Sequence, residues 1–478
     1  MFKVYCLRKN YFRIVFNLLL SVGFLLGLSS CATSADREIT FFGGKIKNPK
    51  DRYVYLSHNK KMIDSVLLDD HNKFAFELDS IREGLYIFNH GPEFQYLYLE
   101  RADSVLLYLN TWDFDESLIF SGKGSAKNNF LINLYLQQEK TEKSFKDKYS
   151  LSEEEFSEEI EKGIQKQLEA YNDFLDGQET APSEQFDKLA KTGIYFPFYF
   201  MKEYYPYNYM WMHKLKEFPE VSDEFYAYRG HLDLNDPDLV DYETYFVYIR
   251  TYLYHLAFKE KYMDHEDNNV ELNFMEQVEE KITLPRLKDR LLATSAWRSL
   301  SNEEMTAEQH RQVQDFFFSH CGNNEMKEEL KISIDQKEKL KTGERLPDFS
   351  VVDSRGQTVM VNHLAENSTS VIYFWPTDIM QAEMVNEKLD KLQKKFPEIR
   401  FIGIERSREH EDWKKFIESK NLVAENQFKI TKDSECYSWF AGDMARSIIV
   451  GKDGKVQNSY LFFTDKYFDM HLEDLKKR

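Results

Sequence analysis

The stretch SVIYFWPTDIMQAEM, Ser370 to Met384, decides the fold. Its first half is continuously apolar and rich in β-branched and aromatic residues, which marks a strand buried on both faces. Pro376 stops that strand, and from Thr377 or Asp378 the pattern takes a helical period that runs to about Lys395. Asp378 is placed to cap the helix, with Gln381 three residues on reaching back. A strand feeding a helix this abruptly is the opening of a βα unit.

Working outward, the same alternation continues on both sides. Upstream lie DFSVVD and TVMV around the turn SRGQ, which predicts a hairpin. Downstream come the strand IRFIGIE, the helix EHEDWKKFIESK, the strand NQFKIT and a short helix around ECYSWFA. The strand SIIVG, the turn KDGK, the strand VQNSYLFF and a terminal helix close the segment. That order fits a mixed sheet with helices on both faces. Residues 342–478 are therefore expected to form one α/β/α sandwich.

Here a family resemblance becomes specific. GERLPDFSVVDSRGQTVMVNHLAENSTSVIYFW, FIGIERSREHEDWKKFI with Trp413, and SIIVGKDGKV resemble the entry motif, second βα unit and closing hairpin of the TlpA/ResA-type thioredoxin-like domain of envelope lipoproteins. The wider layout resembles Bacteroidota lipoproteins that set a small β domain and a helical domain before this module. The resemblance implies two cysteines at the start of the helix after the central strand. There, unpaired backbone N–H groups and the helix dipole favour a thiolate, the species that attacks a disulfide.

This chain departs from that pattern. Counting back from Glu383 and Met384 puts the resolving cysteine's place on Met380 and the nucleophile's on Thr377, or in a gap of about two residues. The family's cis-proline place falls on Ala445, and a non-proline cis bond costs about 2.5–4 kcal/mol, so Met444 to Ala445 is expected to be trans. The degenerate site thus comprises Trp375, Pro376, Thr377, Asp378, Met380 and Gln381, with Arg446 expected across from it as a possible anion partner. No histidine neighbours Thr377 in sequence to activate it.

The N-terminus reads as a targeting segment. Lys3, Arg8, Lys9 and Arg13 precede the apolar run IVFNLLLSVGFLLGL, and LSSC ends at Cys31, matching a lipoprotein cleavage box. Cys31 is the expected lipid attachment point, anchoring the chain in the cell envelope by its acyl chains, with the outer membrane preferred because Ala32 is no inner-membrane retention signal. An uncleaved span is the alternative, although the run is short of the roughly 20 residues a bilayer needs. Of four cysteines, Cys6 would leave with the signal and Cys31 be acylated; Cys321 and Cys436 remain, in separate predicted domains.

Eight short period-two segments between about Ile39 and Ser121 predict a small antiparallel sandwich or barrel over residues 31–124. GKGSAKNN from Gly122 lacks phosphate-loop spacing and reads as the turn into the first helix. Residues 125–341 take a helical period, with Ser152 and Glu155 spaced as a capping box. Their oddest stretch, YFPFYFMKEYYPYNYMWMHKL from Tyr195, reads either as a stacking platform for sugars or peptides or as a helix pair whose aromatic residues are core. The acidic loops at Asp233 and Asp264 lack the glycine and closing glutamate of a calcium loop and read as solvated turns.

A formal charge of −18 excludes a nucleic-acid footprint. No metal and no cofactor is expected. The reading is a membrane-anchored envelope lipoprotein whose redox-inactive thioredoxin-like domain binds or assembles with an envelope protein partner. A thiol:disulfide oxidoreductase working with one thiol or a partner's is the alternative, and a glycan or peptide binder the third.

Overall fold

A computed structural model describes residues 39–477 apart from 60, 80, 92, 264–268, 303, 366, 377–378, 407, 432–433, 435–436, 438–444 and 466–467. The chain is a mixed α/β protein with three sheets and a helical body between them. No described helix is long and apolar enough to cross a membrane.

The first eight strands, β1 (Ile39–Lys47), β2 (Tyr53–His58), β3 (Lys61–Leu67), β4 (Lys73–Asp79), β5 (Gly84–His90), β6 (Glu93–Leu99), β7 (Ser104–Asn110) and β8 (Ile119–Lys123), form two four-stranded sheets. Their orders are β4-β1-β7-β8 and β3-β2-β5-β6. Alternate residues such as Phe42, Val54, Phe76, Phe88, Leu97 and Leu107 point inward and make one core between the sheets. The expectation of an antiparallel unit is corrected here: β1 and β7 run parallel, Gly44 facing Leu107. Period-two patterning shows which face is buried but not which way a neighbour runs. The close approach explains the glycine, because a Cβ on Gly44 would lie 2.2 Å from the Leu107 carbonyl oxygen. A short helix that sequence reading missed, α1 (Phe114–Ser117), plugs the unit with buried Phe114.

The helical body comprises α2 (Ser125–Phe145), α3 (Glu153–Asp176), α4 (Glu184–Met212), α5 (Glu243–Met263), α6 (Val270–Lys281), α7 (Pro285–Ser301), α8 (Ala307–His320) and α9 (Asn324–Lys339). Gly124 takes a left-handed conformation at the start of α2, so GKGSAKNN is the turn into that helix. Ser152 and Glu155 cap α3 reciprocally. The aromatic stretch is corrected from a helix pair to the second half of α4, which continues through Pro197 and Pro206. Phe196, Phe198 and Tyr205 are buried there, while Trp211 stays 74% exposed.

The last sheet contains β9 (Ser350–Val352), β10 (Thr358–Met360), β11 (Ser370–Phe374), β12 (Arg400–Glu405), β13 (Gln427–Lys429), β14 (Arg446–Val450) and β15 (Val456–Phe462), in the order β10-β9-β13-β12-β11-β14-β15. β11, β12 and β13 are mutually parallel, and β14 returns antiparallel to β11. Between these strands lie α10 (Val361–Ala365), α11 (Ile379–Lys395), α12 (His410–Ser419) and, last, α13 (Phe468–Lys477). Val371, Tyr373 and Trp375 face α11 and α13, whereas Ile372 and Phe374 face the opposite core with Leu364 of α10.

That opposite side also leans on the helical body. Tyr460 of β15 is buried within the helical core beside Trp297 and Leu300 of α7. The C-terminal sheet is thereby seated on the helices through an aromatic anchor.

Candidate functional site

The carboxyl end of β11 is where the sequence places its site. The indole Nε1 of Trp375 donates to Gln427 Oε1 at 2.9 Å, and Gln427 Nε2 donates to the Tyr373 hydroxyl at 3.0 Å. All three side chains are buried. Gly403 of β12 lies beneath them, and a Cβ there would stand 2.2 Å from Gln427 Oε1 and 2.8 Å from Trp375 Nε1. Burial raises the Tyr373 phenol well above its ordinary range, so it stays a neutral hydrogen-bonding group. This triad was not anticipated: Gln427 opens the short strand β13 ahead of Phe428 and Lys429, and nothing in that pattern marks it.

Of the predicted site residues, Trp375 and Pro376 are buried at the strand end and Gln381 is half-buried on α11. Thr377 and Asp378 lie outside the described residues, as do the Met380 side chain and Cys436. Ala445 is buried against the α11 side of the sheet, and its bond to Met444 is outside the described residues.

Arg446 does not face the helix start, which corrects the sequence expectation. Its guanidinium carbon lies 4.9 Å from the Tyr460 ring, on the side of the sheet turned to the helical body, and burial lowers its pKa. Alternation along β14 forces this outcome, since Ala445 and Arg446 point to opposite faces. Cys321 is a buried free thiol at the end of α8, raised to about 11 by burial and so held as the unreactive thiol.

Around α11 the polar groups are consumed by internal contacts. Glu405, fully buried at the end of β12, accepts from the backbone N–H of Arg406 at 2.9 Å and of Arg408 at 3.0 Å, and it pairs with the Arg408 guanidinium. Glu383 on the first turns of α11 pairs with Lys420, whose ammonium is held below its ordinary pKa by burial, with Asp51 acting the other way. The β unit reaches the same helix: Lys50 Nζ sits 3.0 Å from Glu387 Oε1. Burial, then the Glu387 charge, raises the carboxyl of Glu93 beside this crossing.

A cavity of about 1280 Å³ lies elsewhere, between the β unit and the helical body. Arg82, Glu83, Arg101, Lys127, Ser183 and Asp241 are among its lining residues. Glu83 is already held by the Tyr98 hydroxyl at 2.5 Å and by Ser183. The acidic loop at Asp233 is likewise engaged, Asp236 and Asp238 both holding Lys188. No cluster of three or more metal-ligating side chains occurs among the described residues.

No family model matches the chain, and no curated protein matches it. Among solved structures, the thioredoxin domain of a thiol-disulfide oxidoreductase from Bacteroides vulgatus is similar at 24% identity, TM-score 0.25, covering 29% of this chain and 97% of that one. A thiol:disulfide interchange protein from Bacteroides sp. gives 24% identity, TM-score 0.24, and coverage of 29% and 90%. A thioredoxin-family thiol:disulfide interchange protein from Chlorobium tepidum gives 15%, 0.23, 27% and 94%.

Proposed function

We propose that the chain is an envelope lipoprotein, anchored through Cys31, whose C-terminal thioredoxin-like module binds or assembles with a protein partner instead of exchanging disulfides. The sheet order and the βα junction at Pro376 support the thioredoxin-like reading. One observation carries the redox-silent half. Between Cys321 and Cys436 the sequence contains no sulfur nucleophile, and the strand end that would present one is closed by the Trp375–Gln427–Tyr373 network. Thiol exchange needs a thiolate where backbone N–H groups converge, and a methionine thioether cannot ionise. Buried side chains committed to each other hold the strand end rigid, and a rigid scaffold suits recognition.

The test is insulin reduction by the chain from Ala32 onward, with dithiothreitol as reductant. The expected rate is that of dithiothreitol alone. Turnover above that background, abolished by Cys436→Ala, overturns the reading in favour of thiol:disulfide exchange. The partner is sought by cross-linking in intact envelopes with photoreactive groups placed on α12.

A further inference from the structure

Exposed large apolar side chains concentrate on the β unit. Of the seventeen among the described residues, ten fall between Ile39 and Ile119, in the unit that directly follows the acylation motif. Four of the ten, Ile39, Leu106, Tyr108 and Ile119, are at outward positions of the sheet β4-β1-β7-β8, with exposures of 43–60%.

The register sharpens the pattern. Lys73, Lys45, Tyr108 and Ile119 stand in one row across all four strands, and Ala75, Gly43, Leu106 and Ser121 form the next. Lys47 continues the basic edge beyond Lys45, and Trp112, 75% exposed, follows two residues after β7 at the same end. The acids on the strands of this face, Glu77 and Asp79, lie toward the opposite end of β4, while Asp113 and Glu116 are exposed beside Trp112. In the turn before Lys73, Asp70 is exposed, whereas Asp69 is turned onto the backbone N–H groups of His71 and Lys73.

We propose that this outer face rests on the bilayer surface. The inference builds on the reading of Cys31 as the acylated residue. Eight residue steps separate Cys31 from Ile39, a reach of at most about 28 Å, which keeps β1 within its own length of the leaflet. Tyr and Trp favour the headgroup level, where ring and polar tip are both accommodated. Lysines beside them lay their stems along the apolar surface and set the ammonium groups among lipid phosphates. A chain of net charge −18 that nevertheless presents three lysines in a patch with Tyr108 and Ile119 is complementary there to an anionic interface.

The experiment uses the chain from Ala32 onward, which keeps every described element and lacks the acyl chains, with vesicles of phosphatidylcholine and phosphatidylglycerol. Co-sedimentation is expected at low salt. It should fall at least about tenfold in Leu106→Ser/Tyr108→Ser/Ile119→Ser, and by a similar factor in Lys45→Glu/Lys47→Glu/Lys73→Glu. Lys414→Glu/Lys415→Glu, on α12, is expected to bind as the unmodified chain does. Unchanged circular dichroism confirms folding of each variant. Absence of vesicle binding, or serine variants that bind undiminished, overturns the inference. So does a dimer in sedimentation equilibrium that the serine substitutions dissolve, since the face would then belong to a second copy. Acylation is read separately, from the mass of the full chain extracted from membranes. An unmodified Cys31 overturns the anchor reading while the vesicle result still decides the face.

Discussion

Gln427 shows how one side chain can hold a strand end together. It accepts from the Trp375 indole and donates to the Tyr373 hydroxyl, so truncating it strands two buried polar groups at once. Each unsatisfied buried group costs about 1–3 kcal/mol. Gln427→Ala is therefore expected to destabilise the C-terminal sheet by about 2 kcal/mol or more, as a lower denaturation midpoint in urea. Gly403→Ala should also destabilise, because its new Cβ would meet the same glutamine oxygen. The two losses should sum to less than additive in the double variant, since removing the glutamine relieves the closest of the three clashes, while the Tyr373 hydroxyl and the Trp375 indole still crowd the new Cβ. Strictly additive midpoints would show that Gly403 and Gln427 do not share a site. None of this was legible in the sequence, where a glutamine and a glycine in separate strands carry no mark of contact. That no cysteine lies between Trp375 and Met384, by contrast, is read directly from the sequence.

At the scale of elements, packing overrides propensity in α3. Helix propensity alone says that Gly163→Ala gains about 1 kcal/mol in a helix interior. The neighbour says otherwise: a Cβ on Gly163 would lie 2.3 Å from Cε1 of Phe198, a buried ring on α4. Overpacking typically costs about 1–3 kcal/mol, so Gly163→Ala is expected to lower the melting temperature, and Phe198→Leu in the same chain to recover part of the loss. A rise in melting temperature for the single substitution would refute the contact. The same competition explains what could be read of the elements. Period-two patterns located the fifteen strands of the described residues but not the parallel run of β1 and β7, because burial is written in the periodicity and pairing is not. The parallel β1–β7 pair is the example, set by a long-range choice that leaves Gly44, pressed against the Leu107 carbonyl, as its trace. The aromatic stretch read as a helix pair is one helix instead: α4 runs through Pro197 and Pro206, with Phe196 packed on Tyr245 and Tyr248 of α5 and Tyr205 on Phe156 of α3.

For the whole molecule, the C-terminal sheet meets its neighbours in two unlike ways. Toward the β unit the crossing is polar, Lys50 to Glu387, and exposed pairs of this kind contribute about 0–1 kcal/mol. Toward the helical body the contact is the buried Tyr460, bordering a crevice of about 370 Å³ lined also by His310, Lys337, Lys341 and Asn458. The helical side therefore holds the sheet in place, and its chemistry gives the assembly a pH dependence. Burial, and then the charge of Lys337, lowers His310 from the ordinary 6.5 to about 4, while Ser299 Oγ lies 3.0 Å from its Nδ1. In the folded chain the ring stays neutral until the pH nears 4; once unfolded it takes a proton near 6.5. Between those values only the unfolded chain gains the proton, so stability is full above pH 6.5 and falls as the pH drops toward 4. Allowing for a ring that is only half-buried, this contributes on the order of 1–2 kcal/mol. Melting curves at pH 7.5 and pH 5 should show a drop for the unmodified chain that exceeds the drop for His310→Asn, which keeps a polar partner for Ser299 but cannot titrate. Because the crevice borders the seat of β15, proteolysis in the connection at residues 340–343 should also quicken at pH 5 in the unmodified chain and not in the variant. Equal drops in melting temperature for the two chains would remove His310 as the titrating group.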